Sequence, residues 1–339
     1  MALTAAPLLA DTLRIASFNV EMHRKGPGLM LRDILRGDPQ ARAVAEIIAS
    51  NAPDILLLQK VDYDADLLGM RALRDVIAEA GFLYPHVFAL RPNTGMATGL
   101  DLDGDGRTGR ASDAQGFGFF AGQRGMVLMS RWPVITDQVQ DFSALLWRDL
   151  PWATLPTVDG KPFPSEQAQT VQRLSSTGHW IVPIAVPNAP PVTVMAFSAT
   201  TPVFDGPEDR NGLRNADEIR LWLQVLNGAL GTPPHSRFFI LGTANLDPDK
   251  GQGRHAAIRD LLSHPTLQDP KPQSATGGLN TADWSEPTPG DMRVDYVLPS
   301  TDWTVTESGV VWPDTNAEII ASRHRLVWVD VDTGTDEGF

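Results

Sequence analysis

The sequence predicts an α/β fold in which two packed sheets carry helices on their outer faces. Three observations predict it. The first is the run Phe238-Phe239-Ile240-Leu241, which closes on Gly242 and a polar turn through Thr243, Asn245 and Asp247. Four consecutive apolar residues, two of them aromatic and one β-branched, suit a strand covered on both faces. The second is the alternation of such runs with helical periodicity in the first third of the chain and again around residues 215–262. The third is the hairpin-like pairing of apolar runs in the middle and at the end. In α/β proteins ligands sit beyond the carboxyl ends of buried strands, so the turn after Leu241 is the first place to look for chemistry.

Taken in order, Leu13–Val20 reads as the first strand, with Asn19 near its end and a glycine-rich loop at Gly26-Pro27-Gly28. A helix follows: Asp38 can accept hydrogen bonds from first-turn amides, Pro39 suits the first helical position, and Val44, Ile47 and Ile48 form an apolar stripe. Ile55–Lys60 is a second buried strand with polar residues at its carboxyl end, and a helix through Leu68, Leu73, Val76 and Ile77 is stopped by Gly81. Residues 91–123 are glycine-rich and polar, too long for an idle connection and therefore expected to be functional or ordered by a metal. Met126–Met129 resumes the strand pattern, Phe142–Leu146 is a short apolar stretch, and residues 148–176 read as irregular. His179–Val186 and Val192–Phe197 look like paired strands, with Ser198 at the end of the second. A helix over Asn215–Leu226 leads to the Phe238 strand, and Val294–Leu298 and Leu326–Val329 supply the last strands.

At 339 residues the chain suits two average domains or one large α/β domain with long loops. No repeat or low-complexity linker divides it, so one domain over residues 12–332 with a tail at 333–339 is expected. Hydrophobic residues at 42% and charged residues at 20% supply a substantial core. A net charge of −13 argues against a general polyanion surface, so nucleic acid is not an expected partner. No apolar run reaches the roughly eighteen residues of a membrane span. The absence of cysteine excludes disulfides and thiolate chemistry but leaves the compartment open. Residues 1–11 are mostly apolar and resemble the tail of a secretory signal, which favours export to a periplasmic or extracellular location; the alternative is a lightly packed N-terminus.

Polar residues recur at strand ends in a fixed order: Ser17-Phe18-Asn19, Asp54 through Gln59, Gly242-x-x-Asn245, Arg293-Val294-Asp295-Tyr296 and Ser322-x-His324. That order resembles the endonuclease/exonuclease/phosphatase superfamily from Leu13 to Asp332, and the 91–123 loop and Pro202–Gly212 look like those of a bacterial, often exported subgroup. The resemblance implies the deoxyribonuclease I-like fold, a four-layer sandwich of two mixed β-sheets flanked by helices. It also implies metal-dependent hydrolysis of phosphate esters, in which a cation neutralises developing charge while a carboxylate aligns or deprotonates water.

Four positions of that reaction centre depart from the family pattern. Lys60 stands where a metal-binding glutamate is expected, Thr243 where a water-positioning aspartate is expected, Arg323 in place of an aspartate and Ser198 in place of a histidine. Asn19, Asn245, His324 and Asp295 remain, and the resemblance implies that Asp295 orients His324. The expectation is a catalytically degenerate member that binds a phosphate-type or other small anion through Lys60, Arg323, Asn19, Asn245 and His324, with no magnesium in the former active site. The alternatives are an enzyme that recruits Glu21, Asp62 or Asp247 as ligands, and a structural or partner-binding module whose partner the sequence does not name.

Asp101-Leu-Asp103-Gly-Asp105-Gly106-Arg107 places carboxylates at alternate positions before a turn glycine, as calcium loops do. Position twelve is Ser112, with Asp113 one residue late, so a structural calcium held by Asp101, Asp103, Asp105, Arg107 and Asp113 is the expectation and a solvated acidic turn the alternative. His23, His86, His179, His235, His255 and His264 lack a metal-ligand spacing. Ser198 lacks a nucleophile elbow. Trp147, Trp152, Trp180 and Trp284 read first as core.

Overall fold

A computed structural model describes residues 12–313, 315 and 319–333. The segment read as an export signal and the tail from residue 334 lie outside the described residues. In chain order the elements are β1 (Thr12–Asn19), α1 (Leu29–Leu35), α2 (Pro39–Asn51), β2 (Ile55–Val61), α3 (Leu68–Glu79), β3 (His86–Phe88) and β4 (Gly125–Ser130). The middle holds β5 (Gln140–Asp141), the small hairpin β6 (Thr157–Val158) and β7 (Lys161–Pro162), α4 (Glu166–Val171), β8 (His179–Ile184) and β9 (Val192–Ser198). Then come α5 (Arg210–Leu226), β10 (Phe238–Thr243), α6 (Ala256–Leu262), β11 (Asp295–Pro299), β12 (Thr304–Val311) and β13 (Leu326–Asp332).

One sheet runs β12-β13-β1-β2-β4-β3 and the other β11-β10-β9-β8-β5. Each is mixed, with one parallel pair, β1 with β2 and β9 with β10, among antiparallel neighbours. The two-residue alternation of strand side chains sorts the core into layers. Leu13 and Ile15 of β1 meet Phe239 and Leu241 of β10 between the sheets. Ala16 and Phe18 face the other way, onto Val44 and Ile48 of α2. Phe238 and Ile240 back onto Ile219 and Trp222 of α5 and Ile258 of α6. The result is the expected helix, sheet, sheet, helix sandwich. No helix among the described residues is long and apolar enough to cross a membrane.

Local signals set several boundaries. Asp38 accepts from the amide of Ala41 at 3.1 Å and Pro39 opens α2, as its sequence predicts. Elsewhere the structure departs from the sequence reading. Strand pairing near Phe142 is made by Gln140 and Asp141, and residues 148–176 contain a hairpin and α4. Helix α5 begins at Arg210, five residues before the expected Asn215, because the polar side chains of its first turns are bonded, and from Arg214 onward buried, rather than solvated. Asn215 donates to the carbonyls of Thr200 and Ala244, and Arg214 to those of Leu174, Gln115 and Arg173. Helix α5 thereby anchors both long loops.

Candidate functional site

β1 and β10 end at the same edge of the sandwich, and their last inward-facing side chains meet. Asn19 Nδ2 donates to Thr243 Oγ1 at 3.2 Å. Thr243 is the register partner of Asp295 across β10 and β11, and its hydroxyl donates to Asp295 Oδ1 at 2.5 Å. The other Asp295 oxygen accepts from Thr281 Oγ1 at 3.1 Å and from His324 Nδ1 at 2.8 Å. With its proton on Nδ1, His324 presents Nε2 as acceptor toward Asn19 Nδ2 at 3.4 Å. Asn19, Thr243, Asp295 and His324 thus form a closed, buried ring of hydrogen bonds. Trp284 sets its edge against His324, with 5.5 Å between ring centroids.

The other expected residues stand around this ring. Ser198 closes β9 in register with Thr243 and is buried. Asn245 has a left-handed backbone, φ 53°, and spends its amide on the carbonyl of Ala199 at 2.8 Å. Lys60 is the extra residue of a β-bulge: pairing steps from Gln59 opposite Met126 to Val61 opposite Gly125 and leaves Lys60 unpaired at φ 56°. A left-handed lysine costs on the order of 1–3 kcal/mol, and such strain clusters at functional sites. Its half-buried ammonium has no hydrogen bond or ion pair among the described residues. Burial pushes its pKa down, against the pull of Glu21.

Arg323 corrects the expectation that it grips a ligand. Its side chain is exposed and its guanidinium clamps Glu21 through Nε at 3.1 Å and through Nη2, while its backbone amide bonds the same carboxylate. Burial would raise the Glu21 pKa; the Arg323 bond and then the Lys60 charge hold it down to about 2. The other two alternative ligands are also engaged. Asp62 accepts from the amides of Arg24 at 2.8 Å and Arg124 at 3.1 Å. Asp247 accepts from the amides of Asp249, Lys250 and Arg293.

The family model of the endonuclease/exonuclease/phosphatase family matches residues 16–324. The chain belongs to that family. Its two mixed sheets with flanking helices are those of solved members. It is similar to an endonuclease/exonuclease/phosphatase from Beutenbergia cavernae DSM 12333 at 17% identity, with a TM-score of 0.58 over 95% of this chain and 72% of that one. It is similar also to truncated Caenorhabditis elegans TDP2, at 14% identity and TM-score 0.52 over 96% of this chain and 100% of that one. Sphingomyelinase C from Streptomyces griseocarneus matches at 16% identity and TM-score 0.51 over 94% of this chain and 99% of that one. No curated protein matches the sequence.

Within this family member, sequence reasoning missed Arg124, His23 and the role of Asp62. Arg124 immediately precedes β4, beside the bulge, at φ 57°. Asp62 holds the backbones of Arg24 and Arg124 together, which brings His23 to the same rim, and burial raises the Asp62 pKa to about 6. The pairing of β2 with β4 brings Arg124 into the neighbourhood of Lys60, and no local motif announces it.

In the 101–113 loop the carboxylates of Asp101, Asp103 and Asp105 lie within 4.8 Å of one another. Asp101 also accepts from the amides of Asp103, Gly104 and Gly106, and Asp105 pairs with Arg110 at 3.0 Å. The side chain of Arg107 is exposed. Asp113 stands apart from the three: it is buried, and its oxygens accept from the amides of Leu102 and Arg110.

Proposed function

We propose that this family member binds a small oxyanion beside Lys60 at the carboxyl end of β2, without metal and without hydrolysing it. The observation that carries the reading is the Lys60 ammonium, held in a strained bulge beside the cleft with no carboxylate partner among the described residues. In the family, a glutamate at this strand end holds the divalent cation; a lysine there repels the cation and substitutes its own charge. The rest of the cleft does not fit a metal either. Asp295 is filled by Thr243, Thr281 and His324, and Glu21 by Arg323. Among the described residues the only group of three convergent carboxylates is Asp101, Asp103 and Asp105, which we assign a structural calcium rather than chemistry.

Loss of Thr243 as a carboxylate removes the group that would align water, so binding is separated from turnover. The test is calorimetric titration with phosphate in chelator, alongside hydrolysis assays with magnesium, manganese and calcium on mono- and diesters and plasmid DNA. Binding that disappears in Lys60→Ala, with no turnover, supports the reading. Metal-dependent turnover that is lost in Asn245→Ala overturns it, and absence of any anion binding at millimolar concentration moves the function to a partner surface elsewhere.

A further inference from the structure

We propose that Arg124 is the second cation of the anion site, facing Lys60 beside His23, and that Phe117 receives the rest of the ligand, an oxyanion borne on an apolar ring-sized body. This rests on the reading above for the existence of an anion and adds the residues and the ligand class.

The floor of the cleft cannot be the anion's seat. Asn19 spends its amide on Thr243 and His324, Asn245 on Ala199, and His324 its Nδ1 proton on Asp295. Asn19 Oδ1 is buried with no partner among the described residues, and a free acceptor repels an oxyanion. Arg323, the other expected donor, is committed to Glu21.

Donors without partners lie on the β2–β4 side instead. Lys60, the bulge residue of β2, and Arg124, at the entry to β4, flank the matched pair Val61 and Gly125 on antiparallel strands; both are left-handed, and the Arg124 charge acts on Lys60. The Arg124 guanidinium has no hydrogen bond or ion pair among the described residues, and its Nε is buried and unsatisfied. His23 Nδ1, close enough to feel the charges of Arg124 and Lys60, is buried without a partner as well and donates in the tautomer that carries its proton there. The nearby carboxylates do not neutralise the pair by contact: Glu21 is clamped by Arg323, and both Asp62 oxygens accept backbone amides. Unpaired buried donors are costly, and an oxyanion is the acceptor that satisfies a guanidinium and an ammonium together.

An aromatic wall adjoins this pair. The Arg124 guanidinium carbon lies 5.2 Å from the centroid of the Phe117 ring. Phe117 and Phe119 stand edge to face at 5.8 Å, yet remain 51% and 64% exposed. They border a recess of about 430 Å³ shared with Thr98, Arg110, Ser112 and Asp113, which adjoins the Arg124 guanidinium through Phe117. An anion seated on Arg124 therefore has, beside it, apolar surface that only a non-ionic part of the same ligand would cover.

The experiment is calorimetric titration in chelator with phenylphosphonate and methylphosphonate, on the full chain and on Arg124→Gln, Arg124→Lys and Phe117→Ala, with thermal melts to confirm folding. Phenylphosphonate is expected to bind about tenfold tighter than methylphosphonate, and Phe117→Ala to erase that difference. Arg124→Gln should weaken both probes about tenfold or more, with partial recovery in Arg124→Lys. If Arg124→Gln does not fold, the lysine variant and Phe117→Ala carry the test. Equal affinity for the two probes, or undiminished binding without the Arg124 charge, overturns this proposal. If Lys60→Ala still abolishes binding in that case, the reading of a metal-free anion cleft stands without it.

Discussion

Thr243 Oγ1 and Asp295 Oδ1, on register partners of adjacent antiparallel strands, lie 2.5 Å apart in a buried hydrogen bond. A threonine at this place does what a carboxylate could not: it donates to Asp295 while accepting from Asn19. Placing a carboxylate at position 243 alone is therefore expected to harm the protein. In Thr243→Asp two carboxylates share one buried contact and cannot both ionise, so stability should fall on the order of 3 kcal/mol at neutral pH. Denaturant melts at pH 7 and pH 5 check this, and the deficit should shrink at the lower pH, where one carboxyl is protonated at less cost. A variant as stable as the wild type at pH 7 contradicts the account.

Calcium is expected to raise the melting temperature through the 101–113 loop, because an ion bound only by the folded state stabilises it by mass action. The three convergent carboxylates make Asp103→Ala the decisive variant. A shift of equal size in wild type and Asp103→Ala would place the ion elsewhere.

His179 should make stability depend on pH. It is fully buried between Ser175, whose hydroxyl meets Nδ1 at 2.6 Å, and the carbonyl of Glu218, which Nε2 faces at 3.0 Å. Burial depresses its pKa to about 3, with the Glu218 carbonyl opposing and Arg214 assisting. The unfolded chain takes up a proton near pH 6.5 and the folded one does not, so the stabilisation present above pH 6.5 is lost as pH falls toward 3. The expected slope is on the order of 1 kcal/mol per pH unit. His23, depressed to about 4, acts in the same direction, whereas Asp62, raised to about 6, acts in the opposite one. Unfolding free energies of wild type and His179→Gln between pH 7 and 5 isolate the His179 share; parallel curves would exclude it.

Glu218 is expected to be the costliest polar position of α5. Its carboxylate accepts from Ser176 N at 2.5 Å, Ser176 Oγ at 2.8 Å and Thr200 N at 2.6 Å, next to the buried Arg214. Glu218→Ala strands those donors and leaves Arg214 without its countercharge, a loss of about 3–5 kcal/mol. Glu218→Gln should lose less, since it keeps acceptor capacity. Chemical denaturation measures both, and a change below about 1 kcal/mol in the alanine variant would show that the network is dispensable.

Much of the scaffold was legible because its signals are local. Asp38 and Pro39 announce α2, and four apolar residues before Gly242 announce β10. The two edge strands of the first sheet were not legible: most of β12 is exposed or half-buried and β3 has three half-buried residues, so neither carries an apolar pattern. The first turns of α5 hid for a related reason. Arg210, Asn211 and Arg214 lie before the expected helix start at Asn215, and only the packing of distant loops gives their side chains hydrogen-bonding partners, with Arg214 buried.

The sequence by itself determined the order of strand ends and hence the family, and it puts Lys60 near the end of β2 and Thr243 at the end of β10, where we propose that carboxylates have been replaced. Side-chain identity at a strand end is a local fact. Which charges are free is not. Glu21 and Arg323 lie 302 residues apart, and only the meeting of the loop after β1 with the turn before β13 joins them, taking Arg323 out of the ligand set. Only the pairing of β2 with β4 brings Arg124 and Lys60 to either side of the same matched pair, Val61 and Gly125. Ion pairing and hydrogen-bond satisfaction act over a few ångströms in space whatever the separation along the chain, so tertiary structure decided which cations remained unpaired at the cleft.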